Sequence, residues 1–141
     1  MSTIGFDTSN YTTSTAWTDG KTDINVRQIL YVKDGERGIR QSDGVFQHMK
    51  LMPVMYEKLS EQIDFKDVKA VGVSTRPRCV EGSYMPVFLA GEGYAKVVAN
   101  TLGVTLYEFS HQDGHIMAGI YSSGSFELLE KDFISVHLSG G

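Results

Sequence analysis

An α/β fold built on one mixed sheet follows from three features of the 141-residue sequence. The opening carries three short strand-like runs joined by tight turns. The remainder alternates helical and strand-like segments. Residues 68–74, with Val68, Ala70, Val71 and Val73, form a near-continuous apolar run of the kind buried on both faces of a sheet. Such an order packs helices onto a mixed sheet of five to six strands, βββαβαβαβ, in one domain.

Residues 3–7 read as a short buried strand closed by the acidic turn Asp7-Thr8-Ser9-Asn10. Residues 11–17, rich in threonine and aromatics, suit a second strand. Asp19-Gly20 supplies the turn to a third, in which Ile24, Val26, Gln28, Leu30 and Val32 fall on alternate positions. Asp43 is the expected N-cap of a helix over 44–62. Its apolar stripe is Val45, Met49, Met52, Tyr56, Leu59 and Ile63. Pro53 lies inside it and should kink it, because it removes a donor. Met49, Met52 and Met55 stand close together, either as an adaptable partner face or, more commonly, as core.

After the 68–74 strand, a loop over 75–86 carries two prolines. A second helix spans 87–102 with Phe88, Gly91, Ala95, Val98 and Leu102 inward. Its small residues allow a close approach to the sheet, and Gly103 is the residue that ends it. Residues 104–109 give another strand. A third helix starts at the histidine segment 110–115 and ends near Ser122-Ser123-Gly124. Residues 133–138 read as the last strand.

The net charge is −4 with pI ≈ 5.5, so bulk charge does not attract nucleic acid. Contact with RNA would need a local patch, for which Arg37, Arg40, Arg76 and Arg78 are candidates; four scattered surface arginines are as good a reading. The single cysteine, Cys79, excludes an internal disulfide and fits a reducing, cytoplasmic setting. It reads as a small packed residue rather than a thiol activated by Arg76 and Arg78. No apolar run approaches membrane-spanning length. Met1 leads straight into strand-like sequence, so no secretory signal and no membrane partner are expected.

The chemistry-bearing stretch is Ser110-His111-Gln112-Asp113-Gly114-His115. On a helix, histidines four apart share one face, and two imidazole nitrogens can reach one metal ion. Alone, such a pair is more often a packed or solvated face. Three further strand ends or tight turns strengthen it: Asp7-Thr8-Ser9, Arg76-Pro77-Arg78 and Leu138-Ser139-Gly140-Gly141. Binding loops on a rigid sheet sit at such places.

These residues carry a resemblance. The strand order with its early acidic turn resembles the ribonuclease H-like lobe of the actin/sugar-kinase/Hsp70 (ASKHA) superfamily. Within it the chain resembles the TsaD/Gcp family, formerly called O-sialoglycoprotein endopeptidase. The motifs are Ile4-Gly5-Phe6-Asp7-Thr8-Ser9, Gln47-His48 with Pro53, Ala70 through Pro77, Phe88-Leu89-Ala90-Gly91 with Tyr94-Ala95-Lys96, Leu102-Gly103-Val104, the histidine segment, and Leu138-Ser139-Gly140-Gly141. The resemblance implies a transferase that moves a threonylcarbamoyl group from threonylcarbamoyl-AMP to a tRNA adenosine, with bound iron or zinc and partner proteins. It implies His111 and His115 as metal ligands and Asp7 as the catalytic acidic residue. Thr8 and Ser9 would face the same cleft, with Ser9, His137, Leu138, Ser139, Gly140 and Gly141 lining the nucleotide or substrate phosphates. The endopeptidase label gains nothing, since no His-Glu-x-x-His is present.

The family has two similar lobes with the site between them, so residues 1–141 are expected to be the N-terminal lobe only. The C-terminal lobe, absent here, would carry a third metal ligand, an aspartate. Asn10-Tyr11-Thr12-Thr13 stands where the family has Cys-Asp-Glu-Thr, and Arg76-Pro77-Arg78-Cys79 replaces Arg-Gly-Pro-Gly. The expected chain is therefore a divergent member, inactive alone, dimerising with itself or a TsaB-like protein through its first-lobe helices. Contact with tRNA is expected only with partners or in a full-length protein. The alternative is a TsaD/TsaB-like paralogue that has lost catalysis and serves as a binding or dimerisation module.

Overall fold

A computed structural model describes residues 1–138. Five strands form one mixed sheet in the order β3-β2-β1-β4-β5. Strands β1 (Ser2–Asp7), β2 (Thr12–Thr18) and β3 (Asp23–Ile29) make an antiparallel meander. Strands β4 (Val68–Arg76) and β5 (Thr105–Ser110) then add in parallel to β1. The helices are α1 (Gln41–Ser60), α2 (Phe88–Leu102) and α3 (His111–Ser123). Among the described residues, no helix is long and apolar enough to cross a membrane.

The sheet buries one face under α1 and α2. Ile4 and Phe6 of β1 and Val71 and Val73 of β4 pair across the parallel ladder, and alternation points them to the same side. There they meet Met52 and Leu59 of α1 and Ala95 and Ala99 of α2, all at most 3% exposed. The other face is only partly covered. Tyr107 and Phe109 of β5 lie there half-exposed, and the expected burial of β4 on both faces is not met, because Lys69 is exposed and Ala70 and Gly72 are half-buried.

Two sequence expectations shift in α1. The helix starts at Gln41 after Arg40, which makes no side-chain cap, so Asp43 sits in the first turn rather than at the cap. Its buried stripe is Gly44, His48, Met52, Met55 and Leu59, rotated from the apolar one. Met49 is exposed. A glycine and a histidine carry no apolar signal, yet both are buried; His48 has its Nδ1 2.8 Å from Thr13 Oγ1, while its Nε2 has no hydrogen-bond partner among the described residues. The helix also runs unbroken through Pro53. Proline at that position leaves the Met49 carbonyl without its helical donor, and the Tyr94 hydroxyl of α2 donates to it at 2.9 Å.

At its other end, α2 stops where expected: Gly103 adopts φ +65 and closes the helix. Residues 133–138 do not form a sixth strand. They are exposed and follow a short 3-10 turn, Phe126–Glu130. Among the described residues no hydrogen bond joins them to the sheet, and an alternating pattern without a partner edge does not make a strand. Cys79 is exposed in the loop after β4, so its expected packing is not met.

Candidate functional site

The three parallel strands end at one edge of the sheet, and their last residues supply the site. Phe6 pairs with Val73 and Ser74 with Phe109, so Asp7, Ser74 and Ser110 fall on neighbouring strand ends. Asp7 Oδ1 accepts from the Ser9 backbone N–H at 2.7 Å, which folds the turn back onto the strand. Its Oδ2 lies 2.9 Å from His111 Nδ1, at the first residue of α3. Burial raises the cost of charging Asp7. Hydrogen bonds from His111, Ser74 and Ser9 outweigh it and hold the carboxyl at about 2.

An ionised carboxylate only accepts, so His111 donates through Nδ1–H. That fixes the tautomer and leaves Nε2 for another partner. The hydrogen bond to Asp7 holds His111 above its ordinary value against the opposing effect of burial. His115 stands one turn on, its Nε2 2.9 Å from His111 Nε2. Burial, with His111 and His137 beside it, pushes His115 below its ordinary value.

The start of α3 is held rigidly. Ser110, fully buried, accepts from the Asp113 backbone N–H at 3.1 Å, and Asp113 accepts from the Ser110 N–H at 2.9 Å. This reciprocal box satisfies two of the helix's unpaired donors. It also sets the direction in which His111 and His115 project. The Gln112 N–H donates to the Pro77 carbonyl, tying the helix to the loop after β4.

Thr8 departs from expectation: it does not face the cleft. It is fully buried, and its hydroxyl donates to the Val87 carbonyl at 2.8 Å and accepts from the Gly91 N–H at 3.0 Å. Thr8 thus caps α2 from outside, where Val87 offers no side chain for the purpose. The contact requires Gly91, because a Cβ there would stand 2.9 Å from Thr8 Oγ1.

The sequence-expected residues therefore separate into groups. Asp7, His111 and His115 come together, with Ser9 in the same turn. His137 joins them, its ring centroid 4.9 Å from that of His115. Leu138 is exposed and next to it in sequence. Ser139, Gly140 and Gly141 lie outside the described residues. Ser74 was not singled out by sequence as a contact of this site; only the strand register brings it to Asp7. A groove of about 410 Å³ between β3 and α1, lined in part by Ile29, Tyr31, Gln47 and Leu51, shares no residue with this edge.

The donor set fits a metal ion in chemistry. The Nε2 atoms of His111 and His115 face each other at 2.9 Å, and His111 is held in its tautomer by a carboxylate, as metal-binding histidines usually are. Among the described residues, no group of three or more histidine, cysteine or acidic side chains is arranged to hold an ion.

No family model matches the chain. Curated relatives do. A tRNA N6-adenosine threonylcarbamoyltransferase from Pyrobaculum calidifontis is 28% identical over 128 residues, covering 89% of this chain and 36% of the relative. One from Clostridium kluyveri is 32% identical over 96 residues, covering 67% of this chain and 26% of the relative. The chain is similar in sequence to tRNA N6-adenosine threonylcarbamoyltransferases. It spans about a third or less of the length of these relatives. Among solved structures, YeaZ from Pseudomonas aeruginosa matches with a TM-score of 0.54 at 15% identity, over 78% of this chain and 43% of that one. A protein described as similar to peptidase YeaZ from the same organism gives 0.56 at 14% identity, over 77% and 43%. These likenesses carry the fold alone, a mixed sheet with helices packed on it.

Proposed function

We propose that this TsaD/Gcp-like chain is the N-terminal lobe, residues 1–141, of a metal-dependent threonylcarbamoyl transferase acting on a tRNA adenosine, and that it is inactive alone. The observation that carries the reading is the Asp7–His111–His115 chain at the carboxyl ends of parallel strands, in a relative of the family whose motifs it shares. Open α/β sheets bind ligands at that edge.

In this reading His111 and His115 hold an iron or zinc ion, which would orient and polarise the carbamoyl-phosphate. Asp7 holds the proton on His111 Nδ1 and keeps Nε2 directed outward. Its role is positional in this lobe, with the carboxylate kept ionised by His111, Ser74 and Ser9. Ser9, His137 and Leu138, with Ser139, Gly140 and Gly141, line the side taken by threonylcarbamoyl-AMP or an adenine nucleotide. Partnership is through the exposed sides of α1 and α2, with a second copy or a TsaB-like protein. Engagement of tRNA comes only with partners or in a full-length protein, in the cytoplasm.

Transfer needs the adenosine amine and the carbamoyl carbon held in a narrow geometry, and this positioning supplies much of the rate. Incubation with threonylcarbamoyl-AMP and unmodified tRNA, followed by mass analysis of the nucleosides, should give no product above the no-protein control. Product from this chain alone would overturn the inactivity. Zinc titration of the wild type and His111→Ala tests the metal assignment: weaker binding by the variant supports it, and equal binding rejects it. Metal content also separates this reading from a non-catalytic binding or dimerisation module.

A further inference from the structure

We propose that the free edge of β3 pairs with the same edge of a second copy of this chain, antiparallel and two-fold, with the axis at Asn25 and Asp23 opposite the partner's Arg27. The pairing joins two sheets into one continuous sheet. It uses neither the strand-end site nor the exposed sides of α1 and α2, so it stands apart from the transferase reading.

Strand β3 is the outer strand on the meander side of the sheet. Its register with β2 runs from Thr12 opposite Ile29 to Thr18 opposite Asp23 without a shift. The phase of its hydrogen bonds is set at both ends. The Leu30 N–H donates to the Tyr11 carbonyl at 2.8 Å, and the Thr22 carbonyl accepts from the Asp19 N–H at 3.2 Å. In an antiparallel ladder residues alternate between bonding the neighbour and facing away from it. Ile24, Val26 and Gln28, in phase with Thr22 and Leu30, therefore bond β2. Asp23, Asn25, Arg27 and Ile29 turn their N–H and C=O groups outward. Among the described residues no turn, loop or further strand bonds these outward groups, and all four residues are exposed. Such a row of open donors and acceptors is a template for another strand.

The same alternation restricts the register. Ile24 and Val26 pack against the core, so the odd-numbered side chains lie on the open face of the sheet. Outward groups must meet outward groups, which requires the two-fold axis to pass through a residue and not between two. An axis at Asn25 sets Asp23 opposite the partner's Arg27, twice by symmetry, and Ile24 opposite the partner's Val26. An axis at Asp23 or Arg27 sets like charges against each other, and an axis at Ile24 or Val26 separates Asp23 from Arg27. Opposite charges facing across a ladder favour a pairing and like charges oppose it. This edge is thus complementary to itself, which names a second copy as the occupant.

The test is sedimentation equilibrium of the whole chain, giving the dimerisation constant of the wild type, Asp23→Arg, Arg27→Asp and the double exchange of both. Each single variant sets like charges opposite at two symmetric places and should weaken the dimer about tenfold. The double exchange restores opposite charges and should recover the wild-type constant. Asn25→Pro removes the central outward donor and spares the β2 ladder, since proline is accepted at an edge position whose N–H faces away. It should be monomeric with the circular dichroism of the wild type. Amide exchange gives a residue-level readout: the Asn25 and Arg27 N–H groups should be slow only at concentrations where the dimer forms, and those of Ile24 and Val26 slow throughout.

A monomer at every concentration would overturn the proposal. So would a dimer unchanged by the single variants, which would place association on another surface. Weakening by both single variants without recovery in the double exchange would overturn it too, as would fast exchange at Asn25 and Arg27 in the dimer.

Discussion

His48 gives the prediction with the most direct magnitude. It lies fully buried on α1, bonded to Thr13 Oγ1, and burial pushes it down from 6.5 to about 4, with the Asp7 charge and the Asn10 backbone pulling the other way. In the unfolded chain it protonates near 6.5; in the folded chain it stays neutral until about pH 4. The unfolded state therefore takes up the proton first, and stability falls as pH drops through this window, then levels. At about 1.4 kcal/mol per tenfold change in acidity, the whole displacement is worth about 3 kcal/mol. Roughly 2 kcal/mol of it falls between pH 7 and 4.5.

The perturbation is His48→Gln, which does not titrate and keeps an acceptor for Thr13. Urea unfolding of both proteins at several pH values across this interval gives two stability curves. Other titrating groups are common to both and cancel in the difference. The wild type should lose about 2 kcal/mol relative to the variant on acidification, whatever their offset at pH 7. Parallel curves would refute the reasoning, because they would mean that His48 protonates as freely in the folded protein as in the unfolded one.

Ser110→Ala removes one half of the α3 box and should cost about 1 kcal/mol, read as a lower thermal midpoint; an unchanged midpoint would mean that the box does not hold the helix. Gly91→Ala places a Cβ 2.9 Å from Thr8 Oγ1. Denaturant unfolding should show a loss of about 1–3 kcal/mol, which turns into a gain in a Thr8→Ala background, where the hydroxyl is gone and helix propensity favours alanine; the same sign in both backgrounds would dismiss the contact. The chain should also self-associate, since Phe46, Met49, Val54, Leu89 and Val97 are exposed on α1 and α2 and Tyr107 and Phe109 on the open sheet face. Light scattering at high concentration should report more than a monomer, and a monomer throughout would count against it.

Local physics made much of this readable in the residues. Alternation at Ile4 and Phe6, the apolar run at Val71 and Val73, the left-handed glycine at 103 and the four-residue spacing of His111 and His115 each state a constraint that neighbours in sequence can satisfy. The family resemblance implied that Asp7 faces one cleft with the histidine pair, and a mixed sheet was expected, but the order of strands within that sheet came only from their pairing.

What only the tertiary structure decided depends on partners distant in sequence. Thr8 looked like a cleft residue but caps α2, because Val87 and Gly91 arrive from about eighty positions away. His48 looked polar but lies in the core, where Thr13 meets its Nδ1 and its Nε2 has no hydrogen-bond partner among the described residues. Residues 133–138 carried a strand pattern but form no strand, since the pattern names a face and not an edge to pair with. By itself the sequence determined which groups can bond and which faces are apolar. Long-range packing determined which partners those groups found, because the free energy of a buried polar group depends on the atom that meets it.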